Sequence, residues 1–300
     1  MDRFDAMRVF TRIVERRSFT LAADDLGLPR SSVTDAVKGL EARLGVRLLQ
    51  RTTRQVSPTL DGEAYYRRCV SLIADMEDAE GTFAGAKPSG LVRVDVHGTQ
   101  ARHFLLPGLP RFRQRYPDIR LHFSEAHQPL DMIREGFDCI LRAGELSDSP
   151  LIKRRLAVLD RGTFASPNYL SRFGTPQSPD DLEHHEMVGL LSPDTGEIVP
   201  LVFGSDRNAR QVRLPAMVTV TGPETNVACA CVGLGLIQVP RYRVASELAN
   251  GALVEVLAGF PPSPLPIHVL YSQTRHLSPR LRVFIDWMAE QFRERLLPRE

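Results

Sequence analysis

The sequence predicts an α+β multidomain chain: a small helical unit with a two-stranded hairpin at the N-terminus, one long helix, and an α/β region beyond it. Three observations predict it. Short amphipathic helical patterns follow one another within the first 45 residues, a stripe of four- and three-residue spacing runs from Thr59 to Phe83, and strand and helix patterns alternate after Gly90. Three hundred residues, 43% of them hydrophobic, supply more than one core.

Composition excludes several classes. No run of eighteen apolar residues occurs, and the start "MDRFDAMRVF" is charged where a signal peptide needs an apolar segment, so the chain reads as cytoplasmic with no membrane partner. Four scattered cysteines without a CxxC pair point away from a disulfide framework or a structural zinc site, and no metal or cofactor is expected. The net charge is only +2, but Leu26 to Leu60 hold six basic residues (Arg30, Lys38, Arg43, Arg47, Arg51, Arg54) against two acidic ones (Asp35, Glu41). A local basic stripe suits phosphate neutralisation; a merely solvated face is its alternative.

In the first helix, Phe4, Met7, Phe10 and Val14 share one face, and the helix should end near Arg17. Ser18 is a good N-cap for a second helix through Ala22, Ala23 and Leu26, which Gly27 stops. So tight a junction is the sign of a helix-turn-helix. The third helix starts near Pro29, with Ser31 or Ser32 available to cap, and Val33, Val37, Leu40 and Leu44 form its anchoring face. Arg30, Ser31, Ser32, Thr34, Asp35 and Lys38 are left outward, short and hydrogen-bonding first, basic later. That composition suits a helix set end-on in the major groove of double-stranded DNA. Next, "VRLLQRTTRQVSPT" reads as a two-stranded wing, Val46 to Gln50 and Gln55 to Ser57, with Arg51, Thr52, Thr53 and Arg54 at a tip able to hold phosphates.

From Thr59 to Phe83, Tyr65, Cys69, Leu72, Met76, Ala79 and Phe83 form a seam along a helical arm of roughly 37 Å. An apolar stripe on so long an arm predicts a homodimer. "GAKPSG", Gly85 to Gly90, is a hinge. The resulting division is 1–58 for the DNA-binding unit, 59–84 for the linker helix, 85–90 for the hinge and 91–300 for the remainder. Within the last, strands are expected at "LVRVDVH", "IRLHFS", "DCILRAG", Ile152 to Leu159, Met187 to Leu191, Ile198 to Phe203, Val212 to Leu214, Leu253 to Val256 and "PIHVLYS". Helices are expected at Leu105 to Arg115, Leu130 to Glu135 and from Pro279 through Phe292, and "AMVTVTGPETNVACACVGLGLIQVP" repeats strand, helix, strand. Such alternation predicts largely parallel sheets.

These residues resemble the LysR-type transcriptional regulators. "RSFTLAADDLGLPRSSVTDAVKGLEARLGVRLLQRTTRQVSPTLDG" carries the family's S-F-T, paired Ala, L-G, S-x-V, L-E-x-x-L-G, L-x-x-R-T-T-R and T-x-x-G, while "YPDIRLHF", "DCILRAG", "GLGLIQVPRY" and "NGALVEVL" look like its sensor segments. The resemblance implies a winged helix-turn-helix, a dimerising linker helix and a two-lobed α/β sensor similar to periplasmic binding proteins, lobe I about 91–161 and 267–300, lobe II about 162–266. DNA contacts would come from Ser18, Thr20, the outward residues of the third helix and the wing tip. Asp35 departs from the basic or neutral residue of many relatives.

In open α/β sheets ligands sit beyond the carboxyl ends of strands. With the family's interlobe cleft, that rule selects Thr99, Gln100, Ser124, Arg142, Thr221 and Glu224 for a small-molecule effector. Glu224 would repel an acid unless Arg142 or another cation offsets it, so the effector's charge stays open. No GxSxG elbow, Walker loop or HExxH occurs, "GLG" at Gly233 to Gly235 reads as a helix stop, Cys229 and Cys231 as apolar packing, and His184 and His185 as a surface turn. The leading expectation is a dimeric, further paired, regulator that acts on RNA polymerase. An effector-independent DNA-binding protein and a free-standing binding protein or enzyme are the alternatives.

Overall fold

The computed structural model describes residues 1–51, 56–83, 87–125, 136–144, 151–193, 195–204, 209–272 and 277–296. Helix α1 (Arg3–Arg16) starts from a reciprocal cap: the Asp2 side chain accepts from the Asp5 amide, and that of Asp5 from the Asp2 amide. Arg17 ends it in the left-handed conformation. Helix α2 (Phe19–Leu26) is capped by the Ser18 hydroxyl and closed by Gly27, whose amide donates to Ala23 and Asp24 carbonyls. Helix α3 (Arg30–Leu44) has Pro29 at its cap position with no side-chain cap, so Ser31 and Ser32 lie inside the first turn and cap nothing. Val9, Phe10, Ile13, Ala22, Val33, Val37 and Leu40 close the core. Leu44, expected among the anchors, is 39% exposed because it sits a turn past Leu40, the last buried position of α3.

The wing is an antiparallel pair, β1 (Leu49–Arg51) and β2 (Val56–Pro58), with Leu49 opposite Pro58. Helix α4 (Leu60–Phe83) follows, its start held by Thr59, whose Oγ1 accepts from Gly62 N at 2.9 Å and donates to Arg47 O at 2.7 Å.

Beyond the linker, β3 (Gly90–Asp95), β4 (Ile119–Ser124), β5 (Cys139–Ala143), β6 (Ile152–Leu159) and β14 (Leu265–Tyr271) form a sheet of order β4-β3-β5-β14-β6. Gly90, read as hinge, therefore opens a strand. The second lobe carries β7 (Arg161–Ala165), β8 (Val188–Leu190), β11 (Val218–Val220), β12 (Ile237–Pro240) and β13 (Val254–Val256). Here β11 pairs with β8, the Met187–Leu236 bridge joins β8 to β12, and β12-β7-β13 completes the order. The pair β9 (Leu201–Phe203) and β10 (Arg210–Val212) stands beside it.

Both lobes thus place three parallel strands next to one antiparallel strand, β14 or β7, and beyond that a fifth. Four strands of each five therefore run the same way, in line with the expectation of largely parallel sheets, and the departure from it is the one opposed strand, β14 or β7. The antiparallel strands are those by which the chain enters each lobe from the other, after β13 and after β6, and each inserts against the local direction. Strand β7 was not anticipated, because Gly162 interrupts its apolar pattern.

The helical run after β3 begins at Gly98 rather than Leu105. It passes through a short α turn, α5 (Gly98–Gln100), a π turn (Ala101–Leu105) and a 3-10 turn (Leu106–Gly108) into α6 (Leu109–Arg115), since Pro107 and Pro110 lack the amides a uniform helix needs. Helices α7 (Pro167–Phe173), capped by Ser166, α8 (Pro223–Cys231) and α9 (Ala245–Ala249) belong to the second lobe. The closing helix α10 (Pro279–Leu296) returns to lobe I, where Phe292 stacks on Phe104 at 4.2 Å and Trp287 and Phe284 meet Phe112. The helix expected at Leu130 to Glu135 lies outside the described residues. Among the described residues no helix is long and apolar enough to cross a membrane.

Candidate DNA-binding face and effector cleft

On α3, Arg30, Ser31, Asp35 and Lys38 are exposed and Ser32 and Thr34 half-buried, opposite the buried Val33, Val37 and Leu40. Thr34 Oγ1 donates to Arg30 O at 3.0 Å, leaving its lone pairs outward. Ser18 accepts from Leu21 N, so its O–H remains available as a donor; Thr20 is exposed on α2. Helices α1 and α2 are clamped by Arg16, whose Nε lies 2.6 Å and Nη2 2.9 Å from the Asp25 carboxylate oxygens. That hydrogen-bonded guanidinium holds the Asp25 carboxyl below its ordinary range. Arg51 ends β1, and Thr52, Thr53 and Arg54 lie outside the described residues.

Two positioning residues escaped the sequence reading. Glu41 Oε1 accepts the amides of Leu48 and Leu49, which sets the first wing strand on α3. Gly62 lies against the Leu48 carbonyl, where any Cβ would overlap the oxygen. Both stand in the quoted motifs, L-E-x-x-L-G and T-x-x-G, which carried their signal without its cause.

The linker seam divides. Tyr65 and Cys69 face the N-terminal core, with the Tyr65 ring 5.6 Å from Phe10 and Cys69 fully buried. Burial pushes the Cys69 thiol up to about 11 and, as the largest cause, the Tyr65 hydroxyl up to about 12. Their place on the seam is thus spent on their own domain, since α4 docks on α1 over its first turns. Leu72 and Met76 are exposed at 51% and 46%. The side chains of Ala79 and Phe83 lie outside the description.

At the strand ends, Thr99 and Gln100 are buried on the turn after β3, and Ser124 closes β4 opposite Asp95. Thr99 Oγ1 lies 3.1 Å from His97 Nδ1 and 3.2 Å from the Tyr242 hydroxyl of the second lobe. Gln100 Oε1 is buried and has no hydrogen-bond partner among the described residues. Arg142 does not offset Glu224: its Nη1 is 2.7 Å from Asp95 Oδ2 and 3.0 Å from Leu141 O. Glu224, exposed on α8, instead meets Arg102 Nη2 of lobe I at 3.3 Å, so another cation faces it. Thr221 is exposed on the turn before α8. The structure therefore brings Thr99 together with Tyr242, and Ser124 and Arg142 around Asp95, with Gln100 next to Thr99 on the same turn. Tyr242 and Arg102 were missed, their only sequence signal being polar groups just past strand ends.

His185 is not a surface residue: it is buried, its Nδ1 3.1 Å from the Tyr169 hydroxyl, and burial holds its imidazole below the ordinary range. Cys229 and Cys231 are half-buried beside the second-lobe core. Among the described residues no group of three His, Cys, Asp or Glu is placed to hold a metal.

Comparison with known proteins places both parts of the chain in one family. Residues 4–63 match the bacterial regulatory helix-turn-helix protein, lysR family, and residues 85–293 match the LysR substrate binding domain. The HTH-type transcriptional regulator YhjC of Escherichia coli K12 is 39% identical over 300 residues, covering 99% of this chain and 100% of that protein. An HTH-type transcriptional repressor of Pseudomonas aeruginosa UCBPP-PA14 is 37% identical over 307 residues, covering 98% of this chain and 93% of its own length. The solved structure of CrgA, a LysR-type transcriptional regulator from Neisseria meningitidis, matches with a TM-score of 0.61 at 33% identity, covering 96% of this chain and 98% of that one. The chain belongs to the LysR-type transcriptional regulators, DNA-binding proteins in which a helix-turn-helix is joined to an effector-binding substrate domain.

Proposed function

We propose that this chain is a non-catalytic, cytoplasmic regulator that docks α3 end-on in the major groove and senses a small molecule between the two lobes. Arg30, Ser31, Ser32, Thr34, Asp35 and Lys38 face base edges and nearby phosphates, Ser18 and Thr20 steady the helix on the backbone, and the tip from Arg51 to Arg54 follows the strand. The observation that carries this reading is the division of α3 into a buried apolar face and an exposed polar leading end. Dimerisation runs through the exposed part of α4, at Leu72 and Met76 and onward to Ala79 and Phe83. Pairs of dimers then set two winged units on successive half-sites, and polymerase is reached from there. The working units are 1–58, 59–84, 85–90 and 91–300.

The effector sits against Thr99, Gln100, Ser124, Arg142, Thr221 and Glu224. Gln100 Oε1 supports this, since no donor among the described residues meets it, an unsatisfied buried acceptor costs about 1–3 kcal/mol, and a ligand donor would recover it. Closure of the lobes on the ligand changes the spacing of the winged units. Fluorescence anisotropy on duplexes tiling the DNA beside its own gene tests the reading. Tight, salt-dependent binding to one segment, about a thousandfold above unrelated duplex, is the expected result. Equal affinity for every segment would favour a DNA-organising protein, and no salt-dependent binding a free-standing binding protein.

A further inference from the structure

Two arginines from different units meet where the linker helix packs on the first lobe. Gly136, in the left-handed conformation ahead of β5, lies so close to α4 that an added Cβ would stand 3.2 Å from Arg67 Cβ and 3.5 Å from Arg67 O. Two residues on, Asp138 is joined to Arg93 of β3 in both directions: its amide donates to Arg93 O at 2.9 Å, and its carboxylate accepts from Arg93 N at 2.7 Å. Val92 and Val94 point into the lobe I core, so by the alternation of a strand Arg93 points to the opposite face. Helix α4 packs against this strand. Arg67 from the helix and Arg93 from the sheet are thus brought to one junction by the residues that lead into β5.

Neither guanidinium is satisfied there. Nε of Arg67 and Nε of Arg93 are both enclosed, and among the described residues neither side chain makes a hydrogen bond or an ion pair. Two carboxylates near them are engaged elsewhere. Asp138 serves the Arg93 amide and lies 3.8 Å from Nη2 of Arg280, a fully buried arginine. Glu15 of α1 accepts at 3.5 Å from the hydroxyl of Tyr66, the residue before Arg67, and is paired with Arg12 at 3.1 Å. On β4, His122 stands opposite Arg93 and Arg120 opposite Leu91, so the neighbouring strand adds no carboxylate. Burial first, and the Glu15 charge second, raise the Tyr66 hydroxyl while the Arg93 and Arg120 charges oppose them, in keeping with a helix seated on that face. A buried charged donor without an acceptor is costly, and one anion between the two arginines would serve both. Each guanidinium presents a planar fork, so two forks from different elements suit a tetrahedral dianion better than a carboxylate, which a single fork saturates.

We propose that Arg67 and Arg93 hold a phosphate-class oxyanion, either free phosphate or the phosphoryl group of a small metabolite, at the junction of α4 with lobe I. Bound there, it ties the helix that carries the winged unit to the sensor, at a place separate from the strand-end cleft of Thr99 and Gln100.

Isothermal titration calorimetry of the full chain tests the site, with inorganic phosphate, glycerol phosphate and acetate as probes and chloride holding ionic strength constant. One phosphate per chain is expected, with acetate weaker by about tenfold or more. A glycerol phosphate isotherm like that of inorganic phosphate assigns the site to a metabolite, and its loss assigns the site to the free anion. Arg67→Gln and Arg93→Gln, one from each side of the junction, should each abolish the binding. Arg210→Gln, at an exposed pair with Asp180, should keep it. Arg67→Lys retains the charge without the fork and should bind about tenfold more weakly than the parent. In chloride both glutamine variants should melt at or above the parent Tm, because each removes a poorly solvated charge, which separates lost binding from lost folding. No binding of either phosphate probe to the parent, or binding by both glutamine variants equal to the parent's, overturns the site. Loss in Lys38→Gln or Thr99→Val, with both arginine positions indifferent, would put the anion on the DNA-binding face or in the cleft and overturns it as well.

Discussion

Glu41 Oε1 accepts the backbone amides of Leu48 at 2.7 Å and of Leu49 at 3.1 Å, so a single carboxylate on α3 fixes the start of the wing. An ionised acceptor on two amides is stronger than a neutral one, and its removal strands both donors. Glu41→Ala is expected to cost about 1–3 kcal/mol, read as a lower Tm, and to weaken duplex binding because α3 and the wing no longer move as one body. Glu41→Gln, which keeps the acceptor but not the charge, should fall between. An alanine variant that melts and binds like the parent would show that the amides find other partners.

Two helical glycines should respond to the same change with opposite sign. Gly39 is exposed mid-helix with nothing within 4 Å of an added Cβ, so Gly39→Ala should stabilise by about 1 kcal/mol from helix propensity alone. Gly62 meets the backbone carbonyl of Leu48, which no rotamer can move aside. Gly62→Ala should therefore destabilise by about 1–3 kcal/mol despite the same gain in propensity. Denaturant unfolding of the two variants decides it, and a stabilised Gly62→Ala would contradict the packing of α4 on the wing.

The divided seam of α4 makes its own prediction. Leu72→Lys and Met76→Lys place charge on exposed apolar positions and should lower the sedimentation mass toward one chain without a loss of Tm in the N-terminal unit. Cys69→Lys buries an ammonium in that unit's core and should unfold it instead. A dimer intact in both Leu72→Lys and Met76→Lys would move the interface off this stripe.

The contrast shows what periodicity can and cannot carry. Ser18, Gly27 and the spacing of Val33, Val37 and Leu40 announced three helices because caps and apolar period are local properties of the chain. The same period runs through Tyr65, Cys69, Leu72 and Met76, yet it cannot tell a stripe that packs on α1 from one left for a second copy. Strand patterns carry no direction either, which is why the antiparallel entry of β7 and β14 was invisible. Pairs such as Thr99 with Tyr242, 143 residues apart, or Asp95 with Arg142, exist only once the sheets bring their strand ends together. So the candidate cleft positions were legible as strand ends, and their partners were not.

His185 is held neutral by burial beside Tyr169, which gives the second lobe a pH dependence of definite sign. Its folded pKa lies below the ordinary 6.5, with Asp181 opposing and His184 adding to the shift. The unfolded chain therefore binds more protons, and the contribution is present above about pH 6.5 and lost as the pH falls toward the folded value. Stability of the parent should drop more steeply below pH 6.5 than that of His185→Gln, measured by urea unfolding across that range. Parallel curves for the two would mean that the imidazole gains water on protonation without disturbing the Tyr169 contact.

Asp35 is the acidic residue among the exposed outward positions of α3, and its charge opposes DNA. Two placements differ in consequence. Toward phosphate it would weaken every duplex alike by Coulomb repulsion; toward a base edge it would accept from a cytosine amino group and select sequence. The chain keeps Arg30 and Lys38 on the same surface for phosphate, so the base-edge role fits better. Asp35→Arg should then shift the preferred base at one operator position, since arginine favours guanine, with a change of about 1–3 kcal/mol in discrimination there. Selection from a randomised operator library reads this directly. Tighter binding to all sequences with an unchanged preference would assign Asp35 to phosphate repulsion instead.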